Sequence, residues 1–190
     1  EKNKKEFESF KSLAMKGKAE AQNELGKIYK EGKGVSKSYT KALRWFKKSA
    51  SQNFPPALHQ LGLMYFEGKG VKRSYKTGLD WFKKSANNGY EVYSSLRNLN
   101  QTDTEYKESF NWVKSIALKG NAKAQYGLGF WYEYTIKDKK EAFKWFTKSA
   151  TNGYPEAQYI LGTNYYFGVS GATKDIRKSI KWYKKAIKNE

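Results

Sequence analysis

Five tryptophans, Trp45, Trp81, Trp112, Trp145 and Trp182, each follow an Ala-x-x-x-Leu-Gly-x-x-Tyr type of segment, and they stand 36, 31, 33 and 37 positions apart. A period in this range means stacked structural units, because one unit is too small to bury its own apolar face. The chain is therefore expected to fold as a solenoid.

Alignment on the tryptophans brings Ala21, Ala57, Val92, Ala124 and Ala157 into register, each followed four residues later by Leu25, Leu61, Leu96, Leu128 and Leu161. Next come Gly26, Gly62, Arg97, Gly129 and Gly162, and three further on Tyr29, Tyr65, Asn100, Tyr132 and Tyr165. Only the third unit departs. Small and large residues at this spacing share one helical face and admit a close neighbour. This is helix A of each unit.

Helix B carries the tryptophan. Ala42, Gly78, Ser109, Ala142 and Ser179 precede it by three, and Ala50, Ala86, Ala117 and Ala150 follow the first four by five. Asn53, Gly89, Gly120 and Gly153 fall eight residues past their tryptophans, where a left-handed stop is expected. Pro55 and Pro155 then open the next helix A, a position where a missing amide donor costs least. In the first two units the A-to-B turn is Gly-Lys-Gly-Val, Gly32 to Val35 and Gly68 to Val71. Before residue 19, Phe7, Phe10, Leu13 and Ala14 with Gly17 as stop read as an isolated helix B, with Ser9 in the tryptophan slot. A chain that begins in the middle of a repeat is expected to have been cut, with a secretion signal or lipoprotein anchor as candidates for what lay upstream.

The segments LGKIYKEGKGVSKSYTKALRWFKKSA and LGLMYFEGKGVKRSYKTGLDWFKKSA resemble Sel1-like repeats, relatives of the tetratricopeptide class. The resemblance covers about residues 19 to 190. Unit five keeps Leu161, Gly162, Tyr165, Gly168 and Trp182 with a longer turn. Unit four has Glu133-Tyr134-Thr135-Ile136-Lys137 in place of the glycine turn, and unit three replaces its turn with NLNQTDTEYKESF. It implies an all-α fold, a right-handed α/α superhelical solenoid in one domain spanning residues 1–190. Residues 1–18 would be the trailing helix of a truncated repeat, followed by repeats at about 19–54, 55–90, 91–121, 122–154 and 155–190.

Chemistry-bearing constellations are scarce. There is no cysteine, which excludes disulfides and thiolate metal sites. His59 is the single histidine, so no histidine pair can hold a metal. Serines read as caps and turn residues, Ser36 and Ser38 standing just ahead of a helix B, and Asp138 with Glu141 reads as helix-start charge. The Gly-Lys-Gly turns fail as phosphate loops: Lys33 is followed by Gly34, where Ser or Thr would hold magnesium, and no strand precedes them. No catalytic residue, metal or cofactor is expected. A hydrolase of wall or glycan material would lack an acid and base pair.

The net charge of +19 is lysine-dominated, arginine being confined to Arg44, Arg73, Arg97 and Arg177. Lys47 and Lys48, Lys83 and Lys84, and Lys184 and Lys185 recur just after their tryptophans, which points to a solvated outer face. Nucleic-acid readers mix arginine into their contacts, so an acidic protein partner or an anionic surface is favoured over nucleic acid. No apolar run approaches the ~20 residues of a membrane helix.

Function then falls to a face. The resemblance implies that A helices line a concave groove, with the inward positions counted from the leucine slot. Two before it stand Asn23, His59, Ser94, Tyr126 and Tyr159; two after, Lys27, Leu63, Asn98, Phe130 and Thr163; five after, Lys30, Phe66, Gln101, Glu133 and Tyr166. This face is basic in unit one, apolar in unit two, and aromatic in units four and five; the competing reading is that some of its rings pack against the next repeat. Clustered exposed rings suit hot-spot anchoring. Unit three, polar at Ser94, Asn98 and Gln101, is expected to mark a bend. The resulting expectation is a non-enzymatic scaffold or adaptor that holds a protein or peptide. The resemblance further implies export from a bacterium, to the periplasm or beyond, in roles such as toxin immunity or host interaction. The cytoplasm is the alternative compartment. The competing function is a basic surface that binds nucleic acid, anionic glycan or lipid, with Lys27 and Lys30 carrying a steep salt dependence.

Overall fold

The helix stops read from the sequence are realised as left-handed residues. Gly17, Asn53, Gly89, Gly120 and Gly153 have φ of 85, 57, 82, 93 and 88° and end successive B helices. Gly32, Gly68 and Gly168 cap A helices at φ 79, 68 and 68°, donating their amides to the carbonyls of Ile28, Met64 and Asn164. At the other ends, Ser38, Ser74, Asn121 and Asp138 each accept the amide of the residue three further on, capping the helices that begin at Tyr39, Tyr75, Ala122 and Lys139. Each such cap contributes about 1 kcal/mol.

The computed structural model describes residues 2–96 and 104–188. Every regular element among them is helical. Two compact units are resolved, Glu1–Val92 and Tyr93–Glu190.

The first unit contains α1 (Lys2–Met15), α2 (Ala19–Glu31), α3 (Tyr39–Ala50), α4 (Pro55–Glu67) and α5 (Tyr75–Asn87). Here α2 and α4 are A helices, and α1, α3 and α5 are B helices. Each packs on its sequence neighbour, the arrangement of an all-α solenoid. Leu25, Leu61, Ala42 and Ala57 are wholly buried, and so are Phe46 and Phe82, the residues that directly follow Trp45 and Trp81. Their rings lie on Gly26 and Gly62 of the paired A helix, where a β-carbon would come within 2.5 and 2.9 Å. In α1, Phe7 and Ala14 are buried while Leu13 is exposed.

The A-to-B turns are held from outside. A β-carbon on Gly70, itself at φ 71°, would stand 2.7 Å from the carbonyl of Tyr39 at the start of α3. Gly34 stands likewise against the backbone of Asn3 in α1. Each turn therefore rests on the first residues of the preceding helix B, a contact that a side chain would prevent.

The second unit contains α6 (Tyr93–Leu96), α7 (Thr104–Leu118), α8 (Ala122–Phe130), a π-helical turn (Trp131–Ile136), α9 (Lys139–Thr151), α10 (Pro155–Phe167) and α11 (Ile176–Lys188). Arg97, Asn98, Asn100 and Gln101, and the side chain of Ser94, lie outside the described residues. The missing glycine turn of unit four is replaced by the π-helical turn, which ends on Lys137 at φ 63°. Its first residue, Trp131, is fully buried and takes the core slot that Ile28 and Met64 fill in the first unit. The ring-on-glycine contact recurs: Phe146 lies on Gly129 and Tyr183 on Gly162, both at 2.6 Å from the β-carbon positions.

A polar lattice repeats as well. Ser49, Ser85 and Ser149 are buried helix-B serines, and each donates at 2.7 Å to the carbonyl of its repeat's first helix-A residue, Ala19, Pro55 or Ala122. Gln22, Gln125 and Gln158 donate to the carbonyls of Ala14, Ala117 and Ala150 at the end of the preceding helix B. Buried polar groups satisfied in this way fix register as well as adding stability. These serines are thus structural members of the core, a role that capping alone does not describe.

Candidate functional site

On the first unit, Lys27 and Lys30 project from α2, and His59 and Leu63 from α4, all of them half-buried. Lys27 donates to Glu24 at 2.7 Å, a partly exposed pair of small energetic weight. Lys30 reaches across to α4 and donates to Oε1 of Gln60 at 2.8 Å. Burial holds its ammonium below the usual lysine range, against the opposite pull of Glu67 and Glu31. The His59 ring lies 5.2 Å from those of Phe82 and Tyr90. Burial first, and the charge of Lys30 second, push its pKa down to about 4, so the imidazole is neutral at pH 7.

Two residues expected on this face do not offer a surface. Asn23 is 1% exposed, its amide nitrogen donating to Glu24. Phe66 is 7% exposed, packed on Tyr75 and Phe82 at 5.4 and 5.1 Å. The signal for Phe66 was present in the sequence, because Gly78 stands where other units carry Ala42 or Ala142. A β-carbon on Gly78 would lie 2.4 Å from the Phe66 ring.

On the second unit, Tyr126 and Phe130 belong to a ring cluster with Phe146 and Tyr154, at centroid distances of 4.8 to 6.0 Å. They are half-buried. Glu133, on the π-helical turn, accepts a hydrogen bond from Ser170 at 2.9 Å. Thr163 lies 3.0 Å from the Tyr183 hydroxyl. Tyr159 and Tyr166 are 60% and 47% exposed. The structure adds two exposed rings to them, Phe167 and Tyr134, both 63% exposed, with Phe167 4.8 Å from Tyr166. Both occupy the position six after the leucine slot, where the first two units carry Glu31 and Glu67. That switch from carboxylate to aromatic could have been read from the alignment.

The Sel1 repeat model matches residues 19–54, 55–90, 122–154 and 155–190. The chain belongs to the Sel1 repeat family. Among solved structures, a Sel1 repeat protein from Oxalobacter formigenes is 32% identical, with a TM-score of 0.54 over 91% of this chain and 74% of that one. The uropathogenic Escherichia coli protein c5321, a protective antigen with an SLR fold, is 30% identical at TM-score 0.55 over 98% of this chain. This chain spans 42% of c5321. A Pseudomonas aeruginosa immunity protein shares the fold at 19% identity, with a TM-score of 0.57 over 96% of this chain and 73% of its own. No curated protein matches.

In these Sel1 repeats the lysine three after the helix-B tryptophan lies over its indole. Lys48, Lys84, Lys148 and Lys185 sit 4.6, 4.5, 4.3 and 4.6 Å from the ring centroids of Trp45, Trp81, Trp145 and Trp182. The lysine stems cover apolar surface while the ammonium groups stay in water. In the first unit a cleft of about 520 Å³ opens near the C-terminal ends of α3 and α5, with Lys47, Trp81, Lys84 and Asn87 in its wall. Among the described residues no group of acidic or histidine side chains is arranged to hold a metal. No described helix is long and apolar enough to cross a membrane. The Sel1 repeat fold is commonly a protein-interaction scaffold and typically non-catalytic.

Proposed function

We propose that this chain is a scaffold that holds a protein or peptide partner against the exposed faces of its A helices. The observation that carries this reading is the set of uncovered rings on α10, Tyr159, Tyr166 and Phe167, each 47% exposed or more. Large rings left in water are an energetic liability in a free protein and become anchors when a partner covers them. The second unit supplies these anchors, while the first supplies cations and Leu63. Two structural neighbours are named immunity proteins, and a toxin-like partner is one form the reading takes. Export from a bacterial cell belongs to the same proposal.

The test is selection of displayed random peptides on the purified chain, followed by titration of the enriched peptides against a Tyr159→Ala/Tyr166→Ala variant. The scaffold reading expects peptides that bind at high salt and lose about tenfold or more in affinity with the variant. The basic-surface alternative has its own support, since Lys47, Lys48 and Lys84 are exposed and the described ion pairs involve no cation of α3 or α5. It expects only polyanions to bind, with affinity falling steeply in salt and indifferent to the two tyrosines.

A further inference from the structure

The Lys30 ammonium differs from the other paired lysines of the first unit. Lys27 has Glu24, Lys33 has Glu31 at 2.6 Å, and Lys69 has Glu67 at 2.9 Å. Glu31 and Glu67, the two carboxylates whose charge acts on Lys30, are each paired with another lysine. Lys30 itself is half-buried and held by a neutral amide. A partly desolvated cation whose direct contact is a neutral amide retains donor capacity for an anion, since burial removes water that an amide oxygen replaces only in part.

Gln60 completes the geometry. Its Oε1 is taken by Lys30 across the gap between α2 and α4, which fixes the amide and directs its NH₂ away from that bond. The ammonium, joined to the Gln60 amide between α2 and α4, keeps two further N–H donors for a carboxylate. His59, adjacent to Gln60 in the chain, is a neutral ring, and Leu63, one helical turn from Gln60, supplies an apolar contact.

We infer that Lys30 and Gln60 form a docking point for a carboxylate of the partner peptide, an acidic side chain or the chain end, with Leu63 taking an apolar neighbour of that carboxylate. This rests on the scaffold reading and names the chemistry its first unit selects. Charge complementarity with a chain of net charge +19 favours such an acidic peptide. It goes beyond a general basic attraction because it assigns the selectivity to one lysine among many.

The test uses the full chain and the peptides enriched from a displayed random library. Each is synthesised in two forms, with Asp and Glu as found or replaced by Asn and Gln, and with a free or an amidated C-terminus. Binding is measured to the unaltered chain and to Lys30→Met, Lys30→Arg, Gln60→Ala and Lys47→Met, whose folding is checked by thermal melting. The expected result is a loss of about tenfold or more for Lys30→Met. A smaller loss is expected for Gln60→Ala and near-retention for Lys30→Arg, with no change for Lys47→Met, which removes the same charge elsewhere. The amide form of one acidic position, or of the chain end, should reproduce the Lys30→Met loss and identify which carboxylate docks. Equal losses for Lys30→Met and Lys47→Met would replace the site with diffuse attraction. Peptides that bind through Tyr159 and Tyr166 but ignore Lys30→Met would overturn the docking point and leave the scaffold standing. Enrichment of no peptide would overturn both.

Discussion

The ring of Phe46 occupies the space that a β-carbon on Gly26 would need, the nearest ring atom lying 2.5 Å from that position. The same contact joins Phe82 to Gly62, Phe146 to Gly129 and Tyr183 to Gly162, so in these four repeats the glycine after the helix-A leucine and the aromatic after the helix-B tryptophan form one packing unit. Neither residue makes sense alone. Glycine in mid-helix costs about 1 kcal/mol relative to alanine, and the buried ring more than offsets it.

It follows that Gly26→Ala destabilises the protein even though it improves helix propensity. Overpacking a fully buried ring costs about 1–3 kcal/mol, and the expected net loss is about 1–2 kcal/mol in urea unfolding. The double variant Gly26→Ala/Phe46→Leu should recover part of the loss of the single alanine variant, because the two residues compete for one space. A Gly26→Ala protein as stable as the parent would show that the ring moves aside freely.

What could be read from the sequence was what local position encodes. The helix stops, the caps and the small-and-large stripes each depend on a few adjacent residues, so the periodic pattern specified them directly. The partner of each stripe was harder. The helix-A glycines were legible as sites of close approach, but that the ring after each tryptophan fills them requires pairing two helices in space. On the candidate face the same limit applies. Asn23 and Phe66 occupy slots equivalent to those of Tyr159 and Tyr166, and only tertiary neighbours separate the buried pair from the exposed one. The π-helical turn at Trp131 had no signal beyond the loss of glycine, because its geometry depends on a large indole filling a slot that elsewhere takes Ile28 or Met64.

Asn164 occupies that same core slot in α10 and is 6% exposed. Its side-chain nitrogen is buried without a hydrogen-bond partner, which leaves a desolvated donor where the first unit has Met64. An unmet donor of this kind costs about 1–3 kcal/mol. Asn164→Met is therefore expected to stabilise the protein by about 1–2 kcal/mol, seen as a higher urea midpoint with an unchanged slope. Asn164→Asp should do the reverse, since it places a carboxylate in the same buried slot. A neutral or harmful Asn164→Met would mean that the slot in α10 is shaped for the smaller side chain.

His59 gives the fold a pH dependence whose sign follows from its surroundings. Burial, with Lys30 adding to it, places the folded-state pKa at about 4 against an ordinary 6.5. Between those values the unfolded chain binds a proton that the folded one refuses, so stability is full above pH 6.5 and declines as the pH falls toward 4. The decline from this residue reaches at most about 1.4 kcal/mol per pH unit and levels off below the folded pKa. Carboxylates titrate in the lower part of the same window, so the parent alone does not isolate the effect. His59→Phe keeps a ring against Phe82 and Tyr90 and removes the titrating nitrogen. Urea unfolding of both proteins at pH 7, 5.5 and 4.5 should show the parent losing more stability than the variant, with most of the difference arising between 6 and 4.5. Parallel losses in the two proteins would mean that the imidazole accepts its proton in the folded state as readily as in water, and that α4 opens to solvent around it.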